Sequence, residues 1–297
     1  MLERLTLARD LLDCTGAVLA PAGAVLSVTV VRATASRTSP ALARPLADTF
    51  AAADLRLPLA APVYRHLFRG ASQDAVARAL LACELPDALW EELRAMRATD
   101  PARYWHALAT GAIAARMLLA ALGEASSIAR MAGAGLLHDL GMRHVSPHLA
   151  RNGDLLSADE REEVAGHPVL GGYHLALLLG DHPAVEAALA HHWQCGAGYP
   201  TLPSPPPRSV QVIAVASAFA ALTQPRAFRS APYDARGAAD VLIADAAAGR
   251  ADPDAVRLLV HALRNGKGDL CTLRFGRERI GHAPAVNRHT PIHVAIA

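Results

Sequence analysis

Three scarcities bound what this 297-residue chain can be. Aromatic residues make up only 4% of it, so any core must be packed from aliphatic and small side chains. Its four cysteines (Cys14, Cys83, Cys195 and Cys271) are scattered, with no CxxC spacing. That pattern excludes a disulfide frame or a zinc knot and makes a reducing cytoplasm the expected location. The formal net charge is only +2, too small a field for duplex nucleic acid to be the main partner. Long apolar runs are scarce as well. The uncharged run 209–225 falls short of the ~20 residues that a membrane span needs and closes on Pro225, so it reads as a buried core helix. The opening MLERLTLARDLLD carries charge throughout and does not read as a signal peptide. No membrane span is expected, and no internal repeat is visible.

What the chain does have is apolar small-residue content: 52% of it is hydrophobic, with a heavy share of alanine. This predicts a mainly α fold, a helical bundle with small β elements at both ends. Residues 1–35 alternate around Gly16 and Pro21-Ala22-Gly23, predicting a hairpin-containing β unit within a small α/β module, 1–68. Residues 36–70 have too little periodicity to assign. The helical portion, 69–264, contains predicted helices over 73–83, 86–98, 103–121, 127–140, 169–179, 184–192, 210–223, 235–248 and 253–264. A capping-box signature, Ser157-Ala-Asp-Glu160, opens one more, which runs up to His167. After Asn265-Gly266, the stretches CTLRFG and PAVNRHTPIHVAIA alternate, predicting a C-terminal β-hairpin extension over 265–297.

The chemistry concentrates around Leu136–Met142, Leu-Leu-His-Asp-Leu-Gly-Met. An apolar helix that ends in adjacent imidazole and carboxylate, His138 and Asp139, is costly, because a buried carboxylate needs a cation or a metal. Taken alone, a core histidine bonded to a neighbouring acid would account for the pair. The helical portion, however, also carries His106, His167, His191 and His192, each at or near a helix end. An imidazole-rich set completed by a carboxylate suits iron, manganese or zinc. A shared aspartate can bridge two ions, which would clamp the oxygens of a phosphate ester.

Order and spacing carry a resemblance. The segments His138-Asp139-Leu-Gly141, His167-Pro-Val-Leu-Gly171 and HHWQCGAGYP (191–200) resemble the HD-GYP branch of the HD metal-dependent phosphohydrolases. The likeness runs from about Arg103 to Leu263. It implies an HD-type helical bundle with one or two divalent ions, hydrolysing cyclic di-GMP to pGpG or GMP. It implies, too, that His106 is the first helix ligand, His138 and Asp139 the central pair with the aspartate bridging, and His167, His191 and His192 the ligands of the second ion. Catalysis falls to His138 and Asp139. Arg226 and Arg229 match arginines that hold ligand phosphate, as guanidinium forks suit phosphate oxygens. Tyr199 of the GYP ending falls at the substrate.

The sequence departs from the family pattern at several positions. The lysine of HDxGK is Met142, and the adjacent Arg143 would point elsewhere. The first aspartate of DxxDALT is Ser217, and its second is Ala220. The acid after the paired histidines is Trp193, Cys195 stands where an aspartate is expected, and a glutamate one turn before the first histidine falls at Ala102. The second site keeps four ligands and the first keeps three. Two expectations follow: a cyclic di-GMP phosphodiesterase of reduced or conditional activity, or an inactive domain that senses cyclic di-GMP or docks a signalling protein. For the latter, the Gly198-Tyr199-Pro200 loop would be the exposed surface.

Overall fold

The computed structural model describes residues 4–288 except 147–148, 150–154, 195–197, 277 and 279. The chain opens with two nested antiparallel pairs. β1 (Leu5–Thr6) pairs with β4 (Val25–Leu26), and inside them β2 (Leu11–Leu12) pairs with β3 (Val18–Ala20). α1 (Val28–Arg37) follows, started by the Ser27 side chain, which accepts the Val30 N–H. The unassigned segment 36–70 folds into β5 (Ala43–Pro45), a 3-10 turn and two single-turn helices, α2 (Ala51–Asp54) and α3 (Arg56–Leu59). β5 pairs antiparallel with β6 (Glu84–Pro86), a contact that crosses position 68/69.

The helical bundle comprises α4 (Ala71–Leu81), α5 (Asp87–Thr99), α6 (Pro101–Leu122), α7 (Ser127–Leu137), α8 (Ala158–Ala165), α9 (His167–Leu179), α10 (Pro183–Ala190), α11 (Arg208–Thr223), α12 (Ala235–Ala247) and α13 (Pro253–Leu263). Their boundaries follow from local chemistry. Asp100, Asp234 and Asp252 accept the N–H three residues on, at the starts of α6, α12 and α13. Ser157 and Glu160 form the reciprocal capping box of α8. Proline opens α6, α9, α10 and α13, where its missing N–H costs nothing.

α6 is the central element, packed against α4, α5, α7, α11 and α13. By length and composition it could cross a membrane, but it is mostly buried within the fold, as the core helix of a bundle must be. The main hydrophobic core extends from Leu7 to Ala262, beside a small separate cluster of Val145, Leu149 and Val164. The scarcity of aromatics is met by alanine: Ala109, Ala112, Ala114, Ala115, Ala132 and Ala134 are fully buried, letting helix axes approach closely. Gly135 faces Gly111 across the α6–α7 contact, where a Cβ would stand 2.9 Å from the Gly111 Cα.

The expected C-terminal hairpin is not formed among the described residues. Residues 265–276 turn instead, with the Asp269 side chain accepting the Cys271 N–H at 3.0 Å. Such a side-chain turn competes with strand pairing. Residues 286–288 then run antiparallel to 228–230, through an isolated Arg229–Asn287 bridge. Residues 289–297, the second half of that expectation, lie outside the described residues.

Candidate metal centre

The expected helix 127–140 ends at Leu137. His138 caps it, Asp139 leaves helical geometry, and Leu140–His144 continue as a 3-10 turn. This turn lies directly on α9, and two glycines make that possible. A Cβ on Gly141 would collide with the His167 carbonyl and the Gly171 backbone. One on Gly171 would stand 2.9 Å from the Gly141 Cα. Glycine on glycine therefore brings Asp139 within 3.3 Å of the His167 Nε2.

Two groups of candidate ligands result: His106, His138 and Asp139, and His167, His191 and His192. Within each group the ligand atoms lie within 4.8 Å of one another. They are contiguous, since the His138 and His191 rings are 4.9 Å apart and Asp139 Oδ1 lies 3.9 Å from His191 Nε2. Three imidazoles are oriented by backbone carbonyls. Nδ1 of His138 donates to Gly135 O at 2.8 Å, Nδ1 of His167 to Val164 O at 2.6 Å, and Nδ1 of His191 to Ala188 O at 3.0 Å. A carbonyl only accepts, so each neutral ring carries its proton on Nδ1 and turns an Nε2 lone pair inward. A carbonyl held at the far nitrogen is also the usual support of a metal-ligating histidine.

Electrostatics keep these groups in metal-ready form. Burial pushes the His138 and His167 imidazoles below their ordinary range, and pushes His106 and His191 well below it. Burial also raises Asp139. The charges of His167, His138 and His191, with Arg103 behind them, pull the carboxyl down further, so it lies well under the ordinary carboxylate range. At neutral pH Asp139 is a carboxylate among the neutral rings of His106, His138, His167 and His191.

Do these residues fit a metal? His167 Nε2 and His191 Nε2 face each other at 3.1 Å, with both Nδ1 protons directed to carbonyls. Two lone pairs at that distance repel unless a cation lies between them. Donors about 2.1 Å from one tetrahedral ion stand roughly 3.4 Å apart, within the 3.1 to 3.9 Å spread of the separations among His167, His191 and Asp139. The set fits one ion here. At the other group, the Ser217 hydroxyl lies 3.0 Å from His138 Nε2 and 3.3 Å from His106 Nε2. A neutral hydroxyl therefore occupies the place where a second carboxylate would complete a shell.

The other expected residues divide. Arg226 is half-buried and donates to the Gln224 side chain at 3.3 Å; burial lowers its pKa, and the nearby Asp139 opposes that shift. Arg229 is not brought to the centre in the same way. Its NH1 donates to Ala221 O and Leu222 O, capping the end of α11. Tyr199 stacks on His192, with ring centroids 4.5 Å apart. It is only 7% exposed and Pro200 is buried too, which corrects the expectation of an exposed docking loop: the ring of Tyr199 is spent on packing against His192. Cys195 and Gly196 of the same motif lie outside the described residues. Arg143, next to Met142, pairs with the buried Glu92.

Two residues escaped the reading of the sequence. Glu92 is 2% exposed and accepts the Cys14 N–H at 2.7 Å besides pairing with Arg143. Its signal was its spacing, three residues after Leu89 and four before Met96, which sets it on the buried face of α5. Arg103 stands one turn before His106 on α6, and the same rule could have flagged it.

A family model described as HD domain matches residues 80–255, more than half the chain and including every candidate ligand. The chain is an HD-domain protein. No curated protein matches it. Among solved structures, this HD-domain chain is similar to the HD domain of the phosphodiesterase PgpH from L. monocytogenes, at 15% identity. That likeness covers 59% of this chain and 95% of that one, with a TM-score of 0.43. The same domain in complex with cyclic-di-AMP is 16% identical, over 59% of this chain and 94% of that one, with a TM-score of 0.41.

Proposed function

We propose that this HD-domain protein is a metal-dependent phosphodiesterase of the HD-GYP branch, acting on a cyclic dinucleotide. Cyclic di-GMP is the expected substrate, with pGpG or GMP as product. The observation that carries the reading is the facing pair of Nε2 lone pairs on His167 and His191, with the Asp139 carboxylate 3.3 Å from the first. When bound, iron, manganese or zinc ions supply Lewis-acid charge at the phosphoryl oxygens and acidify water. Asp139 stays ionised and touches both ligand groups. The imidazoles stay neutral because burial disfavours their charged forms. Arg226, half-buried near Asp139, offers planar donors to a phosphate. His192 is kept in place by the stacked Tyr199 ring.

One observation favours a second reading. Ser217 meets His106 and His138 with a neutral hydroxyl, so the first ion would have three ligands and the second four. A domain with one ion retained would bind the nucleotide without turning it over, as a cyclic di-GMP sensor.

Metal per chain and cyclic di-GMP turnover, measured with added Mn or Fe, separate these readings. Turnover abolished by Asp139→Ala supports the enzyme; nucleotide binding without turnover under any metal supports the sensor. Failure to bind either metal or nucleotide refutes both. Ser217→Asp is expected to raise occupancy of the first group about 10–100-fold, and turnover with it.

A further inference from the structure

Beside the metal centre lies a cavity of about 320 Å³, walled by α5, the start of α6 and the turn after Asp139. Its lining includes the apolar Met96, Leu140 and Met142 and the charged Glu92, Asp100, Arg103 and Arg143. Leu140 follows Asp139 directly, and Arg103 precedes His106 by one helical turn, so the lining adjoins two of the three members of the first ligand group in the chain. We propose that Arg103 is a phosphate-holding residue and that this cavity seats the phosphate-bearing end of the ligand. The inference rests on the phosphodiester reading above and names a further residue for it.

The cations of this region sort by what they already do. The chain has one lysine, Lys267, in the turn after α13, so cationic contacts at the centre fall to arginine. Arg143 is neutralised by the buried Glu92, and Arg229 caps α11. Arg103 has a single ion pair among the described residues, one NH2 at 3.3 Å from Asp100, and its side chain is 14% exposed. A guanidinium has five N–H donors in a fixed fork, and one contact at that distance leaves most of the fork for a ligand.

The charge of Arg103 also bears on Arg226, after burial and the charge of Asp139; Arg226 itself donates to the Gln224 side chain. Like charges held out of water repel, and an anion between them removes that penalty. A phosphodiester is the anion that the adjoining ligand set would process. The apolar Met96, Leu140 and Met142 of the same lining suit the organic part of that ligand.

The test uses the full chain loaded with Mn, with cyclic di-GMP turnover and equilibrium binding measured beside metal content. Arg103→Gln is expected to raise KM or Kd about 10–100-fold, the usual worth of a charge-assisted hydrogen bond, with metal content unchanged. Arg103→Lys should recover part of that loss. So should Met142→Lys in the Arg103→Gln background, because it returns a cation to the lining of the same cavity. Asp100→Asn keeps the helix cap while releasing Arg103, and should leave KM unchanged or lower it. A merely structural Arg103–Asp100 pair would make both variants behave alike, and that result overturns the inference. So does a wild-type KM or Kd retained in full by Arg103→Gln, which leaves the phosphodiester reading standing. If the wild type neither turns over nor binds cyclic di-GMP, the inference falls together with the reading it rests on.

Discussion

Asp139→Asn isolates the charge on which the centre depends while keeping its shape. The carboxylate is the one acid among the two ligand groups, with Oδ1 at 3.3 Å from His167 Nε2 and 3.9 Å from His191 Nε2. Losing even an outer partner of a metal ligand costs about 10–100-fold in affinity. A shared anionic ligand belongs at the upper end, or about 2.7 kcal/mol at 1.4 kcal/mol per decade. The wild type at metal concentrations about 100-fold above Kd gains ~2.7 kcal/mol from binding, so the substitution should erase nearly all of that gain. For a chain of this size, 1 kcal/mol moves Tm by roughly 2–4 °C. Wild type should therefore melt about 5–10 °C higher with Mn than with EDTA, and Asp139→Asn should show almost no difference. Differential scanning calorimetry of both proteins in both buffers reads this directly, and the EDTA arm separates any folding defect from the metal term. An undiminished metal-induced shift in Asp139→Asn would refute the placement of ions at this carboxylate.

Two further perturbations address the frame around the centre. Gly141→Ala places a methyl on the His167 carbonyl and the Gly171 backbone; since neither can rotate away, the cost should reach ~3 kcal/mol, the upper part of the overpacking range. Urea unfolding checks it, and a loss under 1 kcal/mol would mean that the turn can shift without harm. His174 is fully buried in α9, and burial, reinforced by Arg143, holds its imidazole down at about 4; Glu92, 3.6 Å away, is already paired with Arg143. The unfolded chain takes up this proton near pH 6.5 and the folded chain only near pH 4, so stability is intact above the first value and falls as pH drops between them. The drop attributable to this group is ~3 kcal/mol, and His174→Gln should flatten the profile of ΔG against pH by that amount; an unchanged profile would show that His174 does not carry it.

Much of this molecule was legible before its coordinates, and what was legible shares a cause. Helix starts are written in short-range chemistry, such as Asp100 before Pro101, Asp252 before Pro253, and Ser157 with Glu160. The ligand histidines sit at or near helix ends, where motif and boundary coincide. What escaped depends on contacts far apart in sequence. The segment 43–45 becomes a strand only because Glu84–Pro86 supplies its partner. Its own residues, Ala43-Arg44-Pro45, have no alternation to read. The alternating C-terminal stretch misled for the converse reason: Asp269 offers its backbone a local turn, and 286–288 finds its partner 56 residues upstream, at Ser230. The docking alternative takes the Gly198-Tyr199-Pro200 loop as exposed, yet the Tyr199 ring stacks on His192.

The same distinction explains how a centre of this polarity survives in an alanine-rich bundle. Buried imidazoles and a carboxylate would destabilise a loosely packed site, because each needs its polar atoms satisfied. For His138, His167 and His191 the far nitrogen is satisfied by backbone rather than by other side chains: Gly135, Val164 and Ala188 carbonyls each accept one Nδ1. Those carbonyls are fixed by helix geometry three residues upstream, so the sequence needs only a histidine in the last turn of a helix, or just past its end, to orient it. The small residues then decide distance. Gly111 against Gly135 and Gly141 against Gly171 let two pairs of backbones close to near contact, and that approach, not any side-chain pairing, sets the separations among the ligand atoms. Substituting the imidazoles would remove ligands one at a time, whereas substituting the glycines would spread all of them apart at once.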